Sequence, residues 1–115
     1  MSHKLEDITV PVRLSVAIGI VYNELITNSA KYVLSDNTGP REIDVILDER
    51  DDPPAVQLSV RDDGPGFPPA IVNRKQFGYG LTVVESLVSQ HEGTLVVENT
   101  LGARVTVTLP LPQTR

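Results

Sequence analysis

From about Arg13 to Val33, apolar residues fall at Leu14, Ala17 and Ile18, Val21, Leu25, Ala30 and Val33. This is the spacing of an amphipathic helix with one face to bury. At 115 residues the chain supplies one core of ordinary size and not two. The expectation is a single domain over residues 1–115, with its core at about 5–111. What the helix packs against must come from the rest of the chain.

The rest reads mostly as strands. Leu5–Val10 alternates well enough for a short strand, and Pro11 ends it because proline donates nothing to a ladder. Ser35, Asp36, Asn37, Gly39 and Pro40 make Leu34–Arg41 a loop. Ile43, Val45 and Leu47, then Val56, Leu58 and Val60, alternate on either side of the Asp51–Pro54 turn and predict a hairpin. Asp62–Phe77 is too rich in proline and glycine for regular structure and reads as a loop. Helical spacing returns at Leu81, Val84, Leu87 and Val88, with Gly93 where a helix would stop. Thr94–Glu98 and Arg104–Leu109 alternate as two last strands around the Asn99–Gly102 turn. The order β-α-β-β-loop-α-β-β predicts a two-layer α/β sandwich, a largely antiparallel sheet packed on helices.

Composition excludes several functions. With 15 acidic against 10 basic residues and a net charge of −5, the chain has no global field to attract nucleic acid. No stretch approaches the ~18–20 apolar residues of a membrane span, and Met1-Ser2-His3-Lys4 carries no export signal. A cytoplasmic address follows by default. The absence of cysteine excludes disulfides and thiolate metal sites. A bound phosphate must therefore be held locally, by backbone N–H groups, a metal ion and a few placed cations.

Three segments carry candidate chemistry. Glu24, Asn28 and Lys31 or Tyr32 lie at i, i+4 and i+7 or i+8, one polar stripe along the first helix. Alone, such a stripe is more often a solvated face. Read functionally, Asn28 is an oxygen ligand to Mg²⁺, which takes only one or two protein ligands beside phosphates and water. Lys31 offsets phosphate charge, Glu24 polarises a nucleophile or orients a metal-bound water, and Asn23 assists from one position off the stripe. Asp62-Asp63-Gly64-Pro65-Gly66 closes a strand with common turn residues. A carboxylate fixed there accepts a hydrogen bond from an exocyclic amine such as adenine's, while Gly64 and Gly66 let a flat base approach. Asp62, and not Asp63, continues the inward parity of Val56, Leu58 and Val60. Gly78-Tyr79-Gly80-Leu81 runs into a helix, where free N–H groups and the helix dipole receive phosphate. Arg74 and Lys75 are candidates to reach the outer phosphates, although solvated loop cations are commoner.

In this order, Asn23–Tyr32, Asp62–Gly66 and Gly78–Leu81 resemble the N, G1 and G2 boxes of histidine kinase ATPase domains. Gly102–Pro110 resembles that family's last strand. The wider superfamily includes DNA gyrase B, MutL and a heat-shock chaperone on the Bergerat ATP-binding fold. The resemblance implies that ATP and Mg²⁺ are bound, with Asn28 on the metal and Asp62 on adenine. It implies phosphates held at Gly78–Leu81 under a lid at about 67–77, Lys31 and Tyr32 beside the triphosphate, and Glu24 at the acidic N-box position. It further implies a protein histidine kinase of a two-component system, passing phosphate to a histidine on a dimerisation domain and thence to a response regulator.

The sequence departs from the pattern in three places. The lid is short. Ala103 stands where many relatives place a threonine or serine hydrogen-bonding near the adenine carboxylate, so that contact is lost or replaced. Neither histidine is placed as a phosphoacceptor: His91 closes the second helix, where it caps or packs, and His3 falls in a start expected to be disordered. As a kinase, the chain would be a catalytic domain without the one that presents the acceptor. A serine kinase of the anti-sigma-factor type shares the same pocket, and a nucleotide-gated interaction module is the non-enzymatic alternative.

Overall fold

The computed structural model describes residues 2–5, 10–34, 42–51, 53–63, 79–99 and 102–112, with 2–5, 29–34 and 79–80 described in the backbone alone. The elements follow in the order β1 (Ser2–Leu5), α1 (Val12–Leu34), β2 (Ile43–Asp51), β3 (Pro54–Asp62), α2 (Tyr79–Gln90), β4 (Thr94–Asn99) and β5 (Ala103–Pro110). They form one sheet in the order β1-β2-β3-β5-β4. β1 runs parallel to β2, and every other pair is antiparallel. A parallel pair needs a crossover, and α1 lies on that connection. The mixed, largely antiparallel sheet on helices is the architecture that the periodicities predict.

The start of the chain is a correction: His3, expected in a disordered start, lies in a strand at Ser2–Leu5 and pairs with Val45, while residues 6–9 of the strand expected at Leu5–Val10 lie outside the described residues. An edge strand needs only backbone groups to join a sheet, so the apolar alternation that locates inner strands says little about it. α1 begins at Val12, where the Ser15 N–H donates to the Pro11 carbonyl at 2.9 Å. Proline's missing N–H costs nothing at a helix start, where the first donors have no intrahelical partner anyway.

The core lies between the sheet and the two helices. Leu14, Ala17, Val21 and Leu25 of α1, Leu81, Val84 and Val88 of α2, and the inward residues of β2, β3, β4 and β5 are buried together. α1 packs on α2 and on β3. Val12, Val16 and Ile20, four apart on α1, are exposed. The far face of the sheet is polar in its centre. There Asp44 pairs with Arg61 at 3.2 Å, and the Arg104 Nε donates to the Ser59 hydroxyl at 3.3 Å. Ser59 is buried although it points away from the helices, because a small side chain in a central strand is walled in by its neighbours.

The end of α2 is built differently from the expectation at Gly93. The Gly93 N–H donates to the Val88 carbonyl and the Glu92 N–H to the Ser89 carbonyl, the paired bonds that close a helix when the residue after its cap turns left-handed. That residue is Glu92, at φ 58°. Gly93 is needed for space: a Cβ there would collide with the Thr108 carbonyl and lie 2.8 Å from Leu109 Cδ2. Left-handed backbone costs an L-residue roughly 1–2 kcal/mol, and an acidic side chain is unfavourable at a helix C-terminus. Glu92→Gly is therefore expected to stabilise the domain by about 1 kcal/mol, part of the relief being offset by the unfolded-state entropy of glycine. Thermal unfolding should show a rise of a few degrees.

Candidate functional site

β3 delivers the central residue. Val56, Leu58 and Val60 point into the core and Asp62 follows them by strand parity, with only 2% of its surface exposed. A buried carboxylate requires hydrogen bonds, and one comes from across the sheet, where the Ala103 N–H donates to Asp62 Oδ1 at 3.4 Å. Ala103 has no side-chain hydroxyl to offer, and it reaches the carboxylate through its amide.

Asp63 does different work. Its N–H donates to the Glu42 carbonyl at 3.3 Å, and its Oδ1 accepts the Glu42 N–H at 2.9 Å. Asp63 is exposed, and it clasps the start of β2 to the exit of β3. Gly102 completes this end of the sheet at φ 126°, with the space for a Cβ filled by the Asp62 carbonyl. The sequence places Gly102 in a turn at the start of the last strand. The roles of Asp63 and Gly102 were not legible there, since each depends on a neighbour distant in sequence.

α1 contributes the polar stripe. Glu24 and Asn28 are half-buried one turn apart, and Asn23 is exposed. Asn28 Nδ2 is enclosed and has no hydrogen-bond partner among the described residues. Lys31 and Tyr32 continue the helix with their side chains outside the described residues, as does the Tyr79 side chain. Tyr79, Gly80 and Leu81 form the first turn of α2, where amides have no intrahelical acceptor. Leu81 is a core residue at 2% exposure, so only its backbone is free to face a ligand. Gly64, Gly66, Arg74, Lys75, Gly78 and the lid at 67–77 lie outside the described residues.

Asp62 and Ala103 therefore stand at one end of the sheet. The N-terminus of α1, the C-terminus of α2 and the C-terminus of β5 meet at the opposite end. They line an open cleft of about 440 Å³ with Pro11, Leu14, His91 and Leu111 among its walls. None of the candidate site residues borders that cleft. His91, the last helical cap of α2, is half-buried and its N–H donates to the Leu87 carbonyl at 3.1 Å. Among the described residues, no three His, Cys, Asp or Glu side chains cluster as a dedicated metal cage would, and no helix is long and apolar enough to cross a membrane.

A largely antiparallel sheet backed by helices, with a buried carboxylate at the end of a central strand, is the two-layer α/β sandwich of the Bergerat fold. Residues 14–113 match the family described as histidine kinase-, DNA gyrase B-, and HSP90-like ATPase, and the chain belongs to that family. It is 44% identical over 55 residues, 48% of its length, to the signal transduction histidine-protein kinase/phosphatase UhpB of Salmonella typhimurium. The chain spans about a tenth of the length of the curated relatives it matches. Among solved structures, it superposes with a TM-score of 0.83 on the histidine kinase domain of the blue-light activated histidine kinase of Erythrobacter litoralis. That match is 23% identical and covers 96% of this chain and 50% of that one. Full-length ShkA in complex with AMPPNP gives a TM-score of 0.67 at 22% identity, covering 85% of this chain and 22% of that one. At these identities the structural likeness concerns the fold.

Proposed function

We propose that this chain is one catalytic domain that binds Mg-ATP and donates the γ-phosphate to a histidine on a separate dimerisation domain. The observation that carries the reading is Asp62, a buried carboxylate at a strand end, held by the Ala103 amide. A carboxylate has only acceptors to offer, and the 6-amino group of adenine supplies the matching donor. The family match and the histidine kinases among the chain's relatives support the same assignment.

Each candidate then has a role. Asn28 takes Mg²⁺ through its carboxamide oxygen. Which end of an Asn amide is oxygen is an assignment made from its hydrogen bonds, and the end enclosed without a partner among the described residues suits a group that meets a ligand. Bound there, Mg²⁺ would neutralise charge on the phosphate oxygens, the usual part of a metal in phosphoryl transfer. Glu24, one turn away, polarises the incoming nucleophile, or would orient a water on the metal were Mg²⁺ bound. Asn23 assists, and Lys31 and Tyr32 flank the triphosphate. The amides of Tyr79, Gly80 and Leu81 at the α2 N-terminus, with Gly78 before them, receive phosphate oxygens. Gly64 and Gly66 border the base, and Arg74 and Lys75 reach the outer phosphates from the lid.

In the transfer, the bond from the γ-phosphorus to its bridging oxygen breaks and ADP leaves with that electron pair. A bond forms from phosphorus to an imidazole nitrogen, whose proton passes to solvent or to a nearby carboxylate. Catalysis is by positioning and electrostatics. The partners are thus ATP, the histidine-bearing domain and, after it, a response regulator, with the work done in the cytoplasm. Incubation with γ-labelled ATP and histidine-bearing dimerisation domains is expected to give acid-labile, alkali-stable phosphate on the partner. Acid-stable, alkali-labile phosphate would instead establish a serine kinase, and ATP binding with no transfer a nucleotide-gated module.

A further inference from the structure

β3 ends one residue before Asp63, and the way it ends bears on the residue it delivers. Ile43 pairs with Asp62 in the antiparallel ladder of β2 and β3, so Glu42 and Asp63 stand at the next pair. A hydrogen-bonded antiparallel pair exchanges two main-chain bonds. Here the Asp63 N–H donates to the Glu42 carbonyl at 3.3 Å. The reciprocal Glu42 N–H donates instead to the side chain, 2.9 Å from Asp63 Oδ1. A carboxylate oxygen stands in for a strand carbonyl, and the sheet closes one residue after Asp62. On its other side, the end of β3 meets Gly102, whose missing Cβ leaves room for the Asp62 carbonyl, and Ala103, whose N–H donates to Asp62 Oδ1. The strand end is held from both neighbours, and Asp63 supplies the hold on the β2 side.

We propose that Asp63 is a positioning residue for the base, touching no part of the nucleotide and acting through the backbone of Asp62. This role rests on the reading of Asp62 as the residue that meets the 6-amino group. Without an acceptor on the side chain of residue 63, the Glu42 N–H has two courses. It takes the main-chain carbonyl of residue 63, which draws that residue fully into the sheet, or it goes to water and the strand end frays. Either course re-aims the peptide planes that carry Asp62, and a hydrogen bond weakens steeply as its angle closes. The phosphate end of the site, built on α1 and α2, does not depend on this pair. Asparagine at position 63 keeps a carboxamide oxygen that accepts the same bond.

The test is calorimetric titration of two nucleotides into the wild type, Asp63→Ala and Asp63→Asn, each checked by thermal unfolding. The nucleotides are Mg-ATP and Mg-purine riboside triphosphate, which lacks only the 6-amino group. Asp63 is exposed, so its substitution should cost the fold little. The wild type is expected to prefer ATP by about tenfold, and Asp63→Ala by no more than about threefold, through weaker ATP binding alone. Asp63→Asn should restore the wild-type preference. A folded Asp63→Ala that keeps that preference, or loses affinity for both nucleotides equally, overturns the positioning role and leaves Asp62 as the reader. An Asp63→Asn that behaves as Asp63→Ala overturns it too, because the acceptor is then not what matters. A wild type that does not discriminate removes the base contact of Asp62 and this role with it. If Asp63→Ala does not fold, hydrogen exchange in the wild type decides. ATP should slow exchange of the Glu42 amide more than purine riboside triphosphate does, and equal effects of the two overturn the role.

Discussion

Gly102→Ala is expected to destabilise the domain by about 3 kcal/mol, lowering the unfolding midpoint by roughly 10–20 °C. Two costs add. An alanine at φ 126° is strained wherever it sits, and left-handed backbone alone costs about 1–2 kcal/mol. The added Cβ would also overlap the Asp62 carbonyl oxygen and lie 2.9 Å from the Asp62 carbonyl carbon and 3.0 Å from Asp63 Cα. These are backbone atoms of a central strand and cannot turn aside as a side chain would, so overpacking contributes about another 1–3 kcal/mol. Against a total stability of about 5–15 kcal/mol this is a large fraction. A thermal scan in which Gly102→Ala unfolds within two or so degrees of the wild type would show that the turn does not press on β3.

Asn28→Ala is expected to act on the ligand and leave the fold nearly unchanged. The Asn28 Nδ2 has no protein hydrogen bond to lose among the described residues, so the change in stability should stay within about 1 kcal/mol. Removing a metal ligand takes away a contact to a charged group, worth about 1.5–3 kcal/mol, or roughly 10–100-fold in affinity for Mg-ATP. ATP measured in the presence of a chelator should bind the variant and the wild type alike. Equal enhancement by Mg²⁺ in both proteins would remove Asn28 from the metal site. A loss of affinity that is the same with and without Mg²⁺ would make it a contact to the nucleotide instead.

Much of the fold was legible because burial imposes a period. The helix over Val12–Leu34 and the hairpin of β2 and β3 follow from apolar residues at helical and strand spacing. Asp62 was legible for the same reason, as the polar residue that continues a buried parity. Features that depend on the backbone rather than on side-chain patterning were not. β1, where a disordered start was expected, joins the sheet by its main chain. The left-handed residue after α2 is Glu92, beside the glycine that sequence rules favour. The contacts of Gly102 and Asp63 join residues 39 or more and 21 positions apart, respectively, a separation that no local pattern encodes. Ala103 is the instructive case. Its side chain offers the carboxylate nothing, yet its amide makes the contact, and every residue other than proline carries such a donor.

A nucleotide site read by Asp62 is tested by titration of Mg-ATP into the wild type and Asp62→Ala, both shown to be folded by thermal unfolding. Saturable binding by the wild type is expected in the micromolar to millimolar range, with a loss of at least about tenfold in Asp62→Ala. Binding by Asp62→Ala equal to that of the wild type would contradict the role of the carboxylate, and no binding by the folded wild type would contradict the site itself.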